Sequence, residues 1–452
     1  MKNKKKFSGN YFKEFGTAIA KGDIGVKLSL LVMGAGYIAR KQIINGLIMI
    51  ALEAVFIVTC VFYAAPNLAK FGTLGTVQFE QVFDPLTLTS KVNDYDNSFL
   101  ILLNSIISLC IIAAFIFIYI ANIKAVYRLQ QQKEAGKHIN TFREDIRALF
   151  NEKFHITLLS LPCLGIILMN IIPILVLVAV AFTNYDQQHM PPSALFTWVG
   201  WKNLKQLFTN STTLTFGYSF GKILIWTLEW AVLSTLTTFI GGILMAQFIN
   251  SKKTKLPKLW RTLFMVAIAV PQFVTLLLVR NFFADSGIVN TICSNIGLTD
   301  FLKSMGLVSS NLTYIPVLTN PTWAKVMIVL INIWVGVPYQ MLIATGVLMN
   351  IPVDQLESAR IDGANSFQIF WKITMPYVLF ITGPSLITDF VRNINNFNVI
   401  YLLTQDVYVT SDQLLANSNA KEVDLLVTWL FRLTNEYYNY KIASVIGIIV
   451  FI

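Results

Sequence analysis

The sequence is poor in charged residues and in the side chains that most often carry catalysis. Only 13% of its 452 residues are charged, and it contains three histidines. His138, His155 and His189 are far apart along the chain. Such scattered histidines do not indicate a metal site or an acid–base cluster.

The sequence also lacks a phosphate-binding loop of the form Gly-x-x-x-x-Gly-Lys-Ser/Thr. The nearest string, from Gly217 to Lys222, has the wrong spacing. The chain is therefore not expected to hydrolyse ATP by itself. No disulfide framework or metal site is indicated either, because no two cysteines have Cys-x-x-Cys spacing. The cysteines are Cys60, Cys110, Cys163 and Cys293.

Long apolar runs, by contrast, are abundant. The chain is 55% hydrophobic, its mean hydropathy is +0.61, and about 20 apolar helical residues suffice to cross a bilayer. Backbone groups in lipid must bond within their own segment, so the spans are predicted to be helices. We predict an all-α polytopic membrane protein with about eight spans, at 42–64, 99–121, 156–182, 219–249, 262–282, 323–348, 376–398 and from 439 onward.

The basic residues are distributed unequally between alternate loops. With the N-terminus in the cytoplasm, the inner segments carry 23 Lys and Arg residues and the outer loops carry 7. This asymmetry predicts a cytoplasmic N-terminus. It also accounts for the net charge of +11 through contact with anionic lipid, so no nucleic-acid partner is expected.

Both ends of the chain need separate interpretation. The basic segment 1–41 contains a moderately apolar stretch, Val26 to Ala39, which we predict to be an amphipathic helix lying on the cytoplasmic membrane surface. The last predicted span has only about a dozen residues before Ile452, which is too few to cross. We therefore expect the sequence to end within that span.

One polar segment between two apolar runs carries the most specific pattern. Residues 357–376 resemble the coupling loop of ABC importer permeases, whose pattern is Glu-Ala-Ala, three residues, Gly, nine residues, Ile, any residue, Leu-Pro. Ser358 replaces the first alanine and Met375 replaces the leucine. The matching positions are Glu357, Ser358, Ala359, Gly363, Ile373 and Pro376.

The local sequence predicts a helix-turn-helix over residues 350–376. A start signal at Asn350 precedes the first helix, and Gly363 suits the left-handed turn that ends it. In the family that the segment resembles, this loop docks into a cleft of the ATP-hydrolysing subunit. The resemblance therefore implies an ATPase-coupling role for Glu357, Ser358, Ala359, Arg360, Asp362 and Gly363.

Further strings resemble the maltose-type sugar permeases, specifically the longer of their two permease subunits. They run from Asn332 to Tyr339, from Arg392 to Thr404 and from Asp424 to Arg432. The resemblance implies a core of six helices preceded by two additional spans. The organisation implied is a basic segment 1–41, two N-terminal helices with a cytoplasmic loop at 42–153, and a permease core at 154–452.

The same strings hold the candidate substrate site. Asn332, Gly336 and Tyr339 are spaced by four and three residues, which places them on one helix face, and Gly336 would let a ligand approach the backbone. Asn393 and Asn396 are three apart on the seventh predicted span, which likewise predicts one shared helix face, and amide side chains suit vicinal hydroxyls. The resemblance implies a sugar site built from Asn332, Gly336, Tyr339, Arg392, Asn393, Asn396 and Phe397.

Arg392 departs from the aromatic residue expected at its position in that family. Another departure is the outer loop at 183–218, about 36 residues long, where the enteric maltose subunit carries a folded domain. The resemblance implies a Gram-positive-like form that works with a lipid-anchored extracellular sugar-binding protein, because tethering raises the effective concentration of that protein.

The resemblance also implies the rest of the assembly. The chain is expected in the bacterial plasma membrane, as a non-enzymatic subunit that pairs with a second, different permease subunit and two ATPase subunits. It is expected to bind no cofactor, since the partner ATPase uses ATP and Mg²⁺. The expected substrate is a malto-oligosaccharide or a related sugar.

Three alternatives remain open at this stage. The amides at the candidate site are also typical of helix–helix bridges. A second interpretation keeps the importer but changes the cargo to glycerol phosphate or another small solute, whose anionic group Arg392 would bind. The third is an ion-coupled secondary transporter with Glu229 as the coupling group, since intramembrane carboxylates are usually functional. Otherwise Glu229 would be a hydrogen-bond partner between helices.

Overall fold

The structure is a computed structural model that describes residues 11–84, 89–209, 215–251 and 254–452. Almost all of its regular structure is helical, which confirms the predicted fold class. The chain divides into two compact units, Met1–Gly200 and Trp201–Ile452. This division differs from the predicted boundary at residue 154, and the predicted organisation remains a prediction.

The first unit consists of helices and one small hairpin. Its helices include the first three predicted spans, at Ile43–Phe71, Ser98–Glu134 and Phe154–Val180. Each begins within two residues of its predicted start, but the first two helices continue 7 and 13 residues beyond their predicted ends. The elements are α1 (Tyr11–Lys21), α2 (Ile24–Leu28), α3 (Ala35–Ile38), α4 (Ile43–Thr59), α5 (Ala65–Phe71), β1 (Gln81–Asp84), β2 (Thr89–Val92), α6 (Ser98–Glu134), α7 (Phe142–Phe150), α8 (Phe154–Ile166) and α9 (Ile172–Val180).

Strands β1 and β2 form an antiparallel pair in which Gln81 faces Val92. Asp96, which follows this hairpin, bonds to residues that precede it. It forms an ion pair with Lys70 at 2.6 Å, and its other oxygen accepts a hydrogen bond from the backbone amide of Thr76 at 2.9 Å. The Lys70 contact, followed by the backbone bonds, lowers the pKa of the Asp96 carboxyl. The segment between α5 and α6 is therefore tied to the helix ends.

Wide π-helical turns occur directly before prolines in three long helices. A proline lacks a backbone donor and its ring clashes with the carbonyl one turn earlier, and a wide turn accommodates both effects. The α4–α5 and α8–α9 pairs are consequently continuous rods rather than separate helices. The turns are Cys60–Ala64 before Pro66, Ile167–Ile171 before Pro173, and Phe370–Thr374 before Pro376.

The second unit contains fourteen helices among its described residues. They are α10 (Lys202–Phe208), α11 (Phe216–Asn250), α12 (Pro257–Ala269), α13 (Gln272–Phe282), α14 (Ile288–Asn295), α15 (Leu298–Ser304), α16 (Pro321–Leu348), α17 (Val353–Ile361), α18 (Ser366–Ile369), α19 (Met375–Ile394), α20 (Phe397–Thr404), α21 (Gln413–Asn417), α22 (Leu426–Asn435) and α23 (Tyr440–Phe451).

Helices α11 and α16 form the centre of the second unit, and glycine brings their backbones together. A Cβ placed on Gly242 would lie 2.5 Å from Gln340 Cβ and 2.9 Å from the backbone nitrogen of Met341. One core cluster around Trp226 and Trp230 packs α11 against α13, α16 and α20. Small residues at the crossing are typical of helix packing in membranes.

Several predicted spans have a different form in the structure. Among the described residues, five helices are long and apolar enough to cross a membrane: Ile43–Phe71, Ser98–Glu134, Phe154–Val180, Phe216–Asn250 and Pro321–Leu348. The predicted span 262–282 is broken between α12 and α13, because Pro271 cannot donate to the helix and Val270 before it is extended. The predicted span 376–398 ends early, at Ile394.

Hydrogen bonds to Glu422 and a buried ion pair hold the segment between α20 and α22 in place. Glu422 accepts hydrogen bonds from Tyr408 at 2.9 Å and from Thr410 at 2.5 Å. Asp424 and Arg432 form an ion pair in which both side chains are buried. These contacts fix the segment that contains the Asp424 to Arg432 string, so that string has a structural role.

Candidate functional site: a polar cavity and an exposed helix-turn-helix

The second unit contains a cavity of about 500 Å³. We call it the polar cavity, because amide, carboxylate and guanidinium groups lie around it beside aromatic rings. Its walls come from α11, α16, the α12–α13 break and the junction between α19 and α20. The lining residues are Thr238, Ile268, Val270, Pro271, Gln272, Thr275, Asn332, Trp334, Val335, Gly336, Tyr339, Gln340, Asp389, Arg392, Asn393, Asn395, Asn396, Phe397 and Asn398.

All seven residues predicted to contact the substrate lie on this one cavity. The first three come from α16, and the other four come from the end of α19 and the start of α20. The structure therefore brings together two strings that are about fifty residues apart in the sequence. Their contact with a sugar remains a prediction.

The structural reason for Gly336 differs from the expected one. A Cβ at this position would lie 2.7 Å from Thr238 Cγ2 on α11. Gly336 therefore permits the close crossing of α11 and α16. Its small size is used for helix packing, and the predicted approach of a ligand to its backbone is not needed to explain it.

Asn393 and Asn396 do not share one helix face as predicted, because α19 ends at Ile394. Asn396 is the N-cap of α20, and its side-chain oxygen accepts from the amide of Val399 at 3.4 Å. Its side-chain nitrogen donates to Asn393 Oδ1, also at 3.4 Å. Asn393 in turn donates to Thr235 Oγ1 at 3.0 Å. Much of the hydrogen-bonding capacity of both amides is therefore used within the protein.

Asn332 is a buried amide of the cavity whose hydrogen-bonding capacity no described residue uses. It is buried, with 7% of its surface exposed, and it lines the polar cavity. Within the described parts of the chain, no hydrogen bond is found for its side chain. A buried amide is costly without a partner. A ligand with hydroxyl groups is a suitable partner for it.

The site also contains a carboxylate that was not predicted from the sequence. Asp389 is buried on α19, accepts a hydrogen bond from Gln340 at 2.7 Å and pairs with Arg392 at 2.8 Å. The guanidinium carbon of Arg392 lies 5.9 Å from the centre of the Tyr339 ring, within the range of a cation–π contact. An acidic residue three positions before Arg392 was the signal available in the sequence.

Phe397 belongs to an aromatic cluster beside the cavity. Its ring stacks on Tyr401 at a centroid distance of 4.6 Å and lies 4.7 Å from Phe431 on α22. Such packing fixes the ring orientation at the start of α20. The cavity therefore has a rigid aromatic edge next to its amide groups.

The α12–α13 break is a further feature that the sequence interpretation did not include. Val270, Pro271 and Gln272 form the break and line the cavity. Irregular backbone inside a membrane is tolerated where it faces protein or a polar cavity. A proline within a predicted span was the signal that could have located this wall.

The second candidate surface is the predicted helix-turn-helix, which the structure forms from α17 and α18. Gly363 has φ +83° and ends the first helix, with the amide of Ala364 donating to the carbonyl of Ala359 at 2.9 Å. Asn365 and Gln368 then form a reciprocal capping box, which starts α18. Glu357, Ser358, Arg360, Asp362 and Gly363 are exposed and Ala359 is half-buried.

This helix-turn-helix also exposes large apolar side chains. Ile361 is 86% exposed and Phe367 is 70% exposed. Val353 and Trp371 are exposed on the same segment. Large apolar groups clustered on a protruding element are typical of a protein contact surface. The coupling residues predicted from the sequence are small or charged, and they do not include these apolar side chains.

Glu229 lies exposed on α11. In the described regions of the second unit, no other helix donates a hydrogen bond to its carboxylate. The predicted role as a hydrogen-bond bridge between helices of this chain is therefore not seen. No group of three or more potential metal ligands is found among the residues that the structure describes.

Similarity to known proteins shows which family the chain belongs to. The profile described as "Binding-protein-dependent transport system inner membrane component" matches residues 238–452. The maltodextrin transport system permease protein MdxF of Bacillus subtilis (strain 168) is 32% identical over 423 residues, covering 93% of this chain and 90% of that protein. The chain belongs to this family of transport permeases. It is therefore an integral membrane protein of a transport system that depends on a binding protein.

Two other similarities extend this assignment. The galactooligosaccharides transport system permease protein GanP of Bacillus subtilis (strain 168) is 31% identical, covering 93% of this chain and 92% of that protein. A bacterial ABC transporter involved in the import of the acidic polysaccharide alginate covers 68% of this chain with a TM-score of 0.50 and 23% identity. The second likeness concerns the fold alone, and it agrees with the predicted permease fold.

Proposed function

We propose that this chain is the non-catalytic permease subunit of an ATP-driven importer of malto-oligosaccharides or related neutral sugars. The observation that carries the proposal is the composition of the polar cavity. Amides and aromatic rings surround it, and its carboxylate and guanidinium neutralise each other at 2.8 Å. Sugars need hydroxyl partners and apolar faces more than net charge.

The relatives support a sugar as cargo. The permeases MdxF and GanP are named for maltodextrin and galactooligosaccharide transport, and each is matched over 90% or more of its length. Both names specify oligosaccharides of hexoses. A cavity of about 500 Å³ is of a size that holds part of such a chain at a time.

In the proposed assembly, this chain pairs with a second permease subunit and two ATPase subunits. The exposed helix-turn-helix α17–α18 docks into the ATPase through Glu357, Ser358, Ala359, Arg360, Asp362 and Gly363, together with the exposed apolar residues Ile361 and Phe367. ATP and Mg²⁺ belong to the partner ATPase, and this chain holds no cofactor. A rigid capped turn suits an element that transmits displacement.

The proposed orientation places the N-terminus in the cytoplasm of a bacterial cell, as the distribution of Lys and Arg predicts. An extracellular, lipid-anchored sugar-binding protein then delivers the sugar from the other side. The short segment at 183–218 is consistent with such a partner, because tethering reduces the contact area that docking needs.

The alternatives have less support. Glycerol phosphate or another anion would need the free charge of Arg392, and Asp389 already pairs with it. An ion-coupled secondary transporter would not need the helix-turn-helix α17–α18. Its proposed coupling group, Glu229, lies exposed on α11, away from the cavity lining.

The deciding experiment is uptake of labelled malto-oligosaccharides by membrane vesicles that contain the complete transporter, with and without ATP and the binding protein. Uptake that requires both supports the proposal, and uptake driven by an ion gradient without ATP contradicts it. Uptake of labelled glycerol phosphate by the same vesicles tests the alternative cargo.

Three variants locate the sugar site within the same assay. Asn332→Ala, Asn396→Ala and Tyr339→Ala should each lower uptake while the complex still assembles. The loss of one neutral hydrogen bond costs about 0.5–1.5 kcal/mol. Asn332 should show the largest effect, because it is buried and none of the described residues bonds to its amide. Normal uptake by all three variants would show that these residues only pack helices.

A further inference from the structure

Residues 24–38 of the first unit form a helical hairpin that was not expected. The stretch predicted as a single surface helix is folded as α2 and α3, joined by a turn at residues 29–34. Gly34 adopts φ +93° in this turn, and its backbone lies directly against Gly46 of α4. A single helix lying flat on the membrane does not describe this segment.

We propose that this hairpin stands upright across the headgroup layer and inserts its apex among the acyl chains of the adjacent phospholipids. Three contacts along α6 indicate the direction of α2. Asp23 donates from its backbone to Gln130 at 2.9 Å, Val26 packs in a cluster with Ile123, and Tyr119 donates to the carbonyl of Leu30 at 2.7 Å. The chain therefore advances along α6 towards the middle of the membrane.

The depth of the apex follows from these contacts. Leu30 is seven residues after Asp23, which corresponds to a rise of about 10 Å at helical spacing. The stretch of α6 from Gln130 to Tyr119 covers about 16 Å. Charged residues on α6 begin at Lys124, so Asp23 lies at the polar end of that helix and Leu30 lies beside its apolar part. The base and the apex of the hairpin are therefore at different depths.

The apex has an apolar surface that none of the described residues of its own unit covers. Leu31 is 78% exposed, and Val32 beside it is exposed as well. The spanning helix α4, which contacts the apex through Glu53, also exposes apolar side chains, among them Leu47 and Val55. Exposed residues of a spanning helix face lipid in a membrane protein, so the same acyl chains extend over the apex.

The backbone of the apex is satisfied in the way that lipid requires. The amide of Met33 donates to Glu53 Oε2 at 2.8 Å, and the carbonyl of Leu30 accepts from Tyr119. The amide of Gly36 donates to Ser29 Oγ at 2.8 Å. At a hydrated surface, water would supply hydrogen-bond partners for these backbone groups. In hydrocarbon no such partner is present, so an unpaired backbone group is strongly unfavourable. Glu53 and Tyr119 therefore act as caps from two spanning helices.

The base of the hairpin has the opposite character. Arg40 is buried and pairs with Asp23 at 2.8 Å, which closes the two ends of the hairpin on each other. Lys21 and Lys41, next to these ends, are exposed. Exposed lysines at the base match the phosphate layer of the membrane.

The test compares spin labels at Ile24, near the base, and at Leu31, at the apex. Both side chains are 78% exposed, so a difference between them reports depth in the membrane instead of burial in protein. The four native cysteines are replaced by serine, and I24C and L31C are purified with the co-purifying subunits and reconstituted into phospholipid vesicles. Collision with oxygen and with a water-soluble nickel chelate gives the depth of each label.

We expect the label at residue 31 to lie about 10 Å deeper than the label at residue 24. Equal depths would mean a segment lying flat and would overturn the proposal. Free access of the nickel chelate to residue 31 would place the apex in water and would overturn it as well. None of these outcomes depends on what the transporter carries.

A second pair of variants tests the cap. Glu53→Gln keeps an oxygen that accepts from Met33, whereas Glu53→Leu leaves that amide without a partner. The label at residue 31 should keep its depth in the first variant and move towards the surface in the second. An unchanged depth in Glu53→Leu would contradict the role of Glu53 as a cap.

Discussion

The two units of this chain use their apolar helices differently. In the first unit, the most apolar windows of the three long spans are 6%, 28% and 11% buried. In the second unit, the corresponding windows of α11 and α16 are 44% and 39% buried. The same first-unit windows are also more apolar, with mean hydropathies of 2.4, 2.8 and 2.8 against 1.7 and 1.9. The more apolar helices leave most of their surface uncovered by their own unit, and the less apolar ones pack against other helices around a cavity.

Polar residues differ between the units in a parallel way. In the first unit, Glu53 and Tyr119 bond to a hairpin backbone of the same unit. In the second unit, Asp389, Gln340 and Asn332 lie on the wall of the polar cavity. A polar residue in a membrane helix thus indicates either a structural cap or a ligand site, and the position of its partner distinguishes the two.

The largest expected effect comes from adding one methyl group to a spanning helix of each unit. Gly242→Ala places a Cβ within 2.9 Å of backbone atoms of α16, whereas nothing lies within 4 Å of a Cβ at Gly165 in α8. Gly242→Ala should destabilise the protein by about 1–3 kcal/mol, the usual cost of overpacking. Gly165→Ala should be neutral or slightly stabilising.

Thermal unfolding of the purified protein in detergent measures both changes. A similar shift in Tm for Gly242→Ala and Gly165→Ala would mean that the two units are packed to the same density, contrary to the burial of their helices.

The next effect concerns the turn between α17 and α18. Gly363 has φ +83° and open space around it, so a substitution there strains only the backbone. Gly363→Val should cost about 1–2 kcal/mol, a factor of roughly 5–30 in the population of the native turn. We expect ATP hydrolysis to become uncoupled from sugar uptake.

Gly363→Asn is the matched control, because asparagine tolerates the left-handed region better than valine. The measurement is the ratio of sugar transported to ATP hydrolysed. A normal ratio in an assembled Gly363→Val complex would remove the main support for the coupling role.

A smaller effect should follow from unbalancing the charge at the polar cavity. Asp389→Asn keeps the shape of the side chain and leaves Arg392 without its ionic partner. Inhibition of sugar uptake by a small organic anion should strengthen about threefold, or ~0.6 kcal/mol, on the scale of partly exposed pairs.

Asp406→Asn provides the control, since Asp406 pairs with Arg280 at 2.7 Å and does not line the cavity. It should leave the inhibition constant unchanged. Equal responses from both variants would show that the Asp389–Arg392 pair does not set the charge of the site.

The smallest effect is confined to acid conditions. Burial alone would raise the pKa of Asp412, but hydrogen bonds from Lys222 and Tyr218 outweigh it, and the pKa falls to about 2. A carboxyl with a lowered pKa contributes stability above its unfolded pKa of about 4, and that stability is lost as the pH falls towards about 2. No change is expected between pH 5 and 8.

Hydrogen exchange at the amide of Leu414, which donates to Asp412 at 2.9 Å, monitors this loss. Protection should decrease below pH 4 in the native chain, after correction for the intrinsic exchange rate. Asp412→Asn should show reduced protection at pH 7 and no further transition on acidification. A transition that persists in Asp412→Asn would assign it to another group.

The sequence alone determined the membrane character, the starts of the first three spans and the helix-turn-helix at 350–376. Hydropathy is a local property, and bilayer thickness sets the length of a span, so these features need no knowledge of partners. The turn at Gly363 was predictable for a similar reason, because only backbone freedom at that residue is involved. The amides of the polar cavity were also found from their spacing and from a family resemblance.

Tertiary structure decided what those residues contact. The end of α19 at Ile394 made Asn396 a helix cap, the crossing of α11 and α16 explained Gly336, and Asp389 became visible as the partner of Arg392. The stretch around Gly34 became a hairpin because Glu53 and Tyr119 bond its backbone. In each case the deciding partner is distant in sequence, or depends on where a helix stops, and a periodic pattern carries no information about either.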